Sequence, residues 1–137
     1  MPATLRLKRK PPKYRAVHCW LTPDGVIHRA KPAGPNEHFH SLKECRRWLE
    51  LKALEAAGGI KDLRRPEPIP LHAYSVDGTR AYIGDYEADA FYFEGGKPVW
   101  EDTKGRDRKG RNVTATDLYL WKKKHVEMEY GIVIRET

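Results

Sequence analysis

Cysteine is scarce: Cys19 and Cys45 are the two in 137 residues. That is too few for a disulfide framework, and a reducing, cytoplasmic setting is the expectation. Long apolar runs are missing as well. No stretch approaches the roughly 18 residues a spanning helix needs, so no membrane segment is expected. The opening run from Met1 to Lys10 has no apolar core, so it does not read as a secretory leader. Apolar content is low overall, with a mean hydropathy of −0.76. Four Trp and seven Tyr supply large side chains that can still anchor a core. The length fits one domain and leaves little room for two.

Acid is missing from the first fifteen residues, where Arg6, Lys8, Arg9, Lys10, Lys13 and Arg15 stand unopposed. The net charge of +7 therefore hides a block pattern. Asp85, Glu87, Asp89, Glu94, Glu101 and Asp102 face Lys97 alone over residues 85–102, after which Lys104, Arg106, Arg108, Lys109 and Arg111 turn the chain basic again. Lys122, Lys123 and Lys124 add a further basic run. An acidic centre between basic flanks suits a cation site bordered by phosphate contacts.

Residues 1–13 carry Pro2, Pro11 and Pro12 and no periodicity, so they read as a basic flexible arm, with a single domain over 14–137. Residues 14–30 read as a hairpin around Thr22-Pro23-Asp24-Gly25. Residues 31–40 read as loop. Ser41-Leu42-Lys43-Glu44 has the capping-box pattern, and Leu42, Cys45, Leu49, Ala53 and Ala56 form a helical stripe that Gly58-Gly59 ends. Strands are expected over 62–65, 71–76, 81–93 and 97–104. A second helix is expected behind Thr114-Ala115-Thr116-Asp117, with Leu118, Trp121, His125 and Met128 as its stripe. Gly131 should end it, and Ile132-Val133-Ile134 should form a last strand. Strands on both sides of single helices argue a mixed α+β fold.

In an extended chain side chains alternate, so Asp102 and Lys104 share a face while Thr103 points away. The Gly95-Gly96 turn makes the strands before and after it antiparallel neighbours, which brings Asp89 beside Asp102. Two carboxylates and an ammonium on one patch make sense with a divalent cation between the acids. Glu101 reads as a solvated neighbour, or as the ligand if a bulge shifts the register. His18, Cys19, His38, His40 and Cys45 lack the paired spacing of structural zinc sites, so zinc is not expected from them.

A helical Glu, then Asp, a strand turn and Asp-x-Lys resembles the PD-(D/E)XK nuclease superfamily, whose core runs αβββαβ. The resemblance extends to a phage and prophage family of small proteins within it. It rests on the Asp24-Gly25 turn, Ser41 to Lys52, Gly59 to Leu63, Ala88-Asp89-Ala90-Phe91, Glu101-Asp102-Thr103-Lys104-Gly105 and the closing Lys-rich helix with Tyr130-Gly131-Ile132. It spans about residues 14–135. Ala88 stands where the superfamily has Pro. The resemblance implies a restriction-endonuclease-like core carrying an N-terminal hairpin. Asp89 and Asp102 would be metal ligands, helped by the Thr103 carbonyl. Glu44 would complete the site directly or through water, and Lys104 would be the catalytic lysine. The implied cofactor is Mg²⁺, with Mn²⁺ as a substitute.

The expected activity is structure-specific DNA endonuclease, as in a phage Holliday-junction resolvase working in the host cytoplasm. Paired cuts imply a homodimer. Arg9, Lys10, Arg106, Arg108, Lys109, Arg111, Lys122 and Lys123 are the expected DNA contacts. The rival readings are a non-catalytic DNA-binding module of phage replication or packaging, and a restriction- or repair-like nuclease acting on linear DNA.

Overall fold

The computed structural model describes residues 17–104 and 116–137. The arm, the basic loop after Lys104 and Thr114 lie outside the described residues, as do Arg9, Lys10, Arg106, Arg108, Lys109 and Arg111.

Among the described residues three short strands come first: β1 (Cys19–Leu21), β2 (Ile27–His28) and β3 (Glu37–Phe39), in the antiparallel order β2-β1-β3. The expected hairpin is β1–β2. Gly25 turns it with a φ of 83°, in the left-handed region that suits glycine, and its amide donates to the Thr22 carbonyl at 2.9 Å. The loop expected over 31–40 ends early. Asn36 folds it by donating from Nδ2 to the Gly34 carbonyl at 2.9 Å, after which β3 drives Phe39 into the core. The strand was hidden by its length, since three residues show little alternation.

Helix α1 (Leu42–Ala56) starts where the capping pattern puts it, with the Ser41 hydroxyl accepting from the Glu44 amide at 3.1 Å. Ser41→Ala should cost about 1 kcal/mol of stability, read by chemical denaturation. The buried face is Cys45, Trp48 and Leu51. Ala53 and Ala56, expected on the stripe, are exposed in the last turns, where alanine loses little by facing water.

The central sheet is ordered β4-β7-β8-β9, from β4 (Lys61–Arg64), β7 (Ala90–Glu94), β8 (Lys97–Asp102) and β9 (Ile134–Glu136). The first three run antiparallel, and β9 lies parallel to β8. Strands β5 (Ile69–Tyr74) and β6 (Arg80–Tyr86) form a separate two-stranded ribbon. The single strand expected over 81–93 is therefore two. Pairing with β5 holds residues 80–86, and the chain bends at Asp89 before entering the sheet. With the ribbon set aside, the order is α1, β4, β7, β8, α2, β9, a mixed α+β arrangement.

Helix α2 (Asp117–Tyr130) is capped by Thr116, two residues later than the pattern suggested, and Gly131 ends it in the left-handed region. Its inner face differs from the expected stripe. Val126 is buried, while Leu118, Trp121 and Met128 are exposed. The stems of Lys122 and Lys123 take up part of the inner side instead: Lys122 donates to the Asp85 carbonyl at 2.8 Å, and Lys123 pairs with Glu127 at 3.2 Å. Long basic side chains can cover apolar surface in this way, which a count of apolar residues misses. The last strand starts at Ile134, two residues after the expected start, and runs on to Glu136.

The core has two parts, one on each side of the sheet. Cys19, Phe39, Cys45, Trp48, Leu51, Tyr92 and Val99 pack together with α1. Leu71, Tyr86, Val126 and Ile134 pack together on the α2 side, with Trp100 and Tyr119 against them.

Candidate active site

Alternation along β8 places Val99 and Glu101 toward α1, and Trp100 and Asp102 toward α2. Both carboxylates are almost wholly buried, Glu101 at 1% exposure and Asp102 at 2%. Their partners differ. Arg47 of α1 grips Glu101 through two bonds, Nε to Oε2 at 3.0 Å and a terminal nitrogen to Oε1 at 2.9 Å, and Tyr92 donates its hydroxyl to Oε1 at 2.8 Å. Glu101 is thus neither solvated nor free to act as a ligand: it is the anion of a buried structural pair.

Among the described residues, no cation pairs with Asp102 in this way. It accepts a hydrogen bond from the Tyr86 hydroxyl. Burial pushes its carboxyl up to about 6, with Lys104 pulling it down and Glu136 pushing it up. Lys104 lays its ammonium over the ring of Tyr119 on α2, 3.7 Å from the centroid. Tyr119 also neighbours Asp102. Asp102 and Lys104 therefore share the α2 face, as alternation requires. The Lys104 amide donates to the Thr137 carbonyl at 2.8 Å and the Thr137 amide to the Asp102 carbonyl at 2.9 Å, so the pairing with the last strand extends past β8 and keeps this segment extended.

Asp89 sits at the bend into β7. Its carboxylate accepts from the Thr103 amide at 2.8 Å, and its own amide donates to the Glu101 carbonyl at 3.0 Å. Burial raises its pKa, against the pull of the Thr103 amide and of Lys104. Glu44, in the first turn of α1, is raised to about 7 by burial and then by the charge of Asp89, with Lys104 acting in the opposite sense. Lys104 is thus the cation common to Glu44, Asp89 and Asp102. The four residues expected to form the site gather at one end of the sheet.

They do not close into a tight set. Among the described residues, the three ligand-type side chains whose ligand atoms all lie within 4.8 Å of one another are His18, His38 and His40. Asp89 is tied to the Thr103 amide and Asp102 to Tyr86, and their like charges favour separation.

Several neighbours carried no advance signal. Nothing in the sequence spacing marks Tyr86 and Tyr119, yet Tyr86 orients Asp102 and Tyr119 seats Lys104. Arg65 donates to the His38 carbonyl at 2.8 Å and lowers the pKa of both Glu44 and Asp89. Lys43 donates to the Lys104 carbonyl, and with Arg46, Thr103 and Thr137 it lines a cavity of about 330 Å³ beside the site. Lys122 and Lys123, the expected DNA contacts among the described residues, are engaged inside the fold as given above, Lys123 also lying 3.9 Å from Glu136.

The raised carboxyl of Asp102 has a thermodynamic consequence. A folded-state value of about 6 against an ordinary 3.8 means that the protonated form is favoured by folding. Its contribution to stability is fully present below 3.8 and is lost as pH rises through about 6. Asn at this position cannot ionise. Asp102→Asn should therefore gain stability relative to the wild type as pH rises through that window, then level off, read by urea unfolding across the range.

No family model, curated protein or solved structure matches the chain.

Proposed function

We propose that the chain is a divalent-cation-dependent DNA endonuclease of the PD-(D/E)XK type, acting on branched DNA as a junction resolvase does. The observation that carries the reading is the gathering of one buried carboxylate, Asp102, two half-buried ones, Glu44 and Asp89, and one lysine at one end of the central sheet. The α1, β4, β7, β8, α2, β9 order is the αβββαβ order of that superfamily's core, which supports the same reading. Asp89 and Asp102 offer the hard oxygen donors that suit Mg²⁺ or Mn²⁺, and one or two carboxylates suffice when water and phosphate oxygens fill the remaining positions. Glu44 would assist through water. When bound, such a cation lowers the pKa of coordinated water and offsets phosphate charge.

The protein's own groups do the rest. Tyr86 fixes the orientation of Asp102, and the Thr103 amide fixes Asp89. Lys104, seated on Tyr119, offers an ammonium to the charge that develops on the phosphate. Lys43 and Arg46 border the site and can hold adjacent backbone phosphates. Paired cuts in a branched substrate require two such sites, hence a homodimer.

One observation favours a second reading, a DNA-binding module that does not cut: the carboxylates are not drawn together as the histidines are. A panel of four-way junction, flap, duplex and single-stranded DNAs, with Mg²⁺ or with chelator, separates these readings. Mg²⁺-dependent cuts in the junction support the resolvase. Cuts in linear duplex alone would point to a restriction- or repair-like enzyme. Salt-sensitive binding without cuts would favour the module.

A further inference from the structure

Outside the carboxylate site, three imidazoles meet on the small N-terminal sheet. In the pairing of β1 with β3, Cys19 stands opposite Phe39 and Trp20 opposite His38. The next step of that register puts His18 opposite His40. Cys19, Leu21 and Phe39 point into the core. By alternation, His18, His38 and His40 all lie on the other face. His18 Nδ1 is 2.9 Å from His38 Nε2. The His18 and His38 rings stack at 5.1 Å, and His40 stands edge-on to both, at 5.4 and 5.0 Å. One ligand nitrogen from each ring lies within 4.8 Å of the other two.

We propose that His18, His38 and His40 bind a divalent transition-metal ion of the zinc class, which clips β1 to β3. Tetrahedral zinc with bonds of about 2.0–2.1 Å separates its ligand nitrogens by roughly 3.3 Å. The present spacing brackets that value, so small ring rotations complete the site. Imidazole donors favour zinc, nickel or copper over Mg²⁺, which prefers oxygen. Three protein ligands leave the fourth position to water, and the exposure of His18 and His40 leaves it open to solvent. Cys19 and Cys45 are buried in the core and do not take part. Arg65, the nearby cation, spends one nitrogen on the His38 carbonyl and lies with its guanidinium over Phe39.

The clip has a physical use. The strands it joins have three residues each, and β2 has two. So little ladder gains much from a cross-link that forms only in the folded state. Sequence spacing could not show the site, because its ligands come from two strands as one histidine facing an H-x-H pair.

The test uses the full chain freed of metal by chelator. Calorimetric titration with zinc in millimolar Mg²⁺ should show one equivalent bound, and zinc should raise the melting temperature. Cobalt should give the visible absorption of a four-coordinate ion. The double variant His18→Ala/His40→Ala, changed at exposed positions, should lose the binding and the shift while keeping the wild-type circular dichroism. If that variant does not fold, zinc protection of His18 and His40 from acylation, read by peptide mass in the wild type, takes its place. Undiminished binding by a folded double variant, displacement by Mg²⁺, or absence of protection would overturn the proposal. None of these readouts involves DNA, so the outcome is independent of the nuclease reading.

Discussion

Asp102→Asn should reduce Mg²⁺-dependent DNA cleavage by at least about 10²–10³-fold, the scale of losing a group that stabilises charge in the transition state. It should do so without unfolding the protein. Asn keeps the shape and can still accept from Tyr86, while the buried negative charge disappears. In the cation-free protein that charge is a liability, because burial raises the Asp102 carboxyl to about 6 and, among the described residues, no cation forms an ion pair with it. The variant should therefore be at least as stable as the wild type at neutral pH, as a charge kept for function rather than for folding would be. Lys104→Ala should lose cleavage on a similar scale, because it removes an ammonium that acts on Glu44, Asp89 and Asp102 together. A melting curve beside each cleavage assay distinguishes this from damage to the fold.

The neighbouring residue should behave in the opposite way. Glu101→Ala should destabilise the protein by about 3 kcal/mol, because it takes both Glu101 bonds from the half-buried Arg47 guanidinium, leaving it the exposed Glu50 at 3.1 Å, and leaves the Tyr92 hydroxyl without its acceptor. For a domain of this length that is a fall in melting temperature of more than about 10 °C. A second substitution, Arg47→Met, should recover part of the loss by removing a half-buried cation left with the exposed Glu50 as its partner. If Glu101 were instead the metal ligand and Asp102 a packing residue, the two profiles would be exchanged: Glu101→Ala would fold well and fail to cut, and Asp102→Asn would melt early.

This contrast also marks how far the sequence can be read. Ser41 capping Glu44, Gly25 turning the first hairpin and Gly131 ending α2 are local rules, and the structure obeys them. The facing of Asp102 and Lys104 follows from period two alone. What could not be read depends on partners far along the chain. Glu101 looked like a surface acid because Arg47 lies 54 positions away. The strand expected over 81–93 was continuous in composition, and only the pairing of β6 with β5 divides it. The stripe of Leu118, Trp121 and Met128 was regular enough to mark an inner face, yet Val126 takes that place and the stripe faces outward. The three histidines fall in the same class, since a metal-type cluster across two strands has no linear spacing.

The most direct measurement of the central claim is nicking of supercoiled plasmid DNA by the purified full chain as Mg²⁺ is titrated, with Asp102→Asn and Lys104→Ala alongside. The account predicts nicking by the wild type that rises with Mg²⁺ and vanishes with chelator, and two folded variants that bind the plasmid without nicking it. Nicking of equal rate in all three proteins, or none by the wild type at any Mg²⁺ or Mn²⁺ concentration, would contradict it.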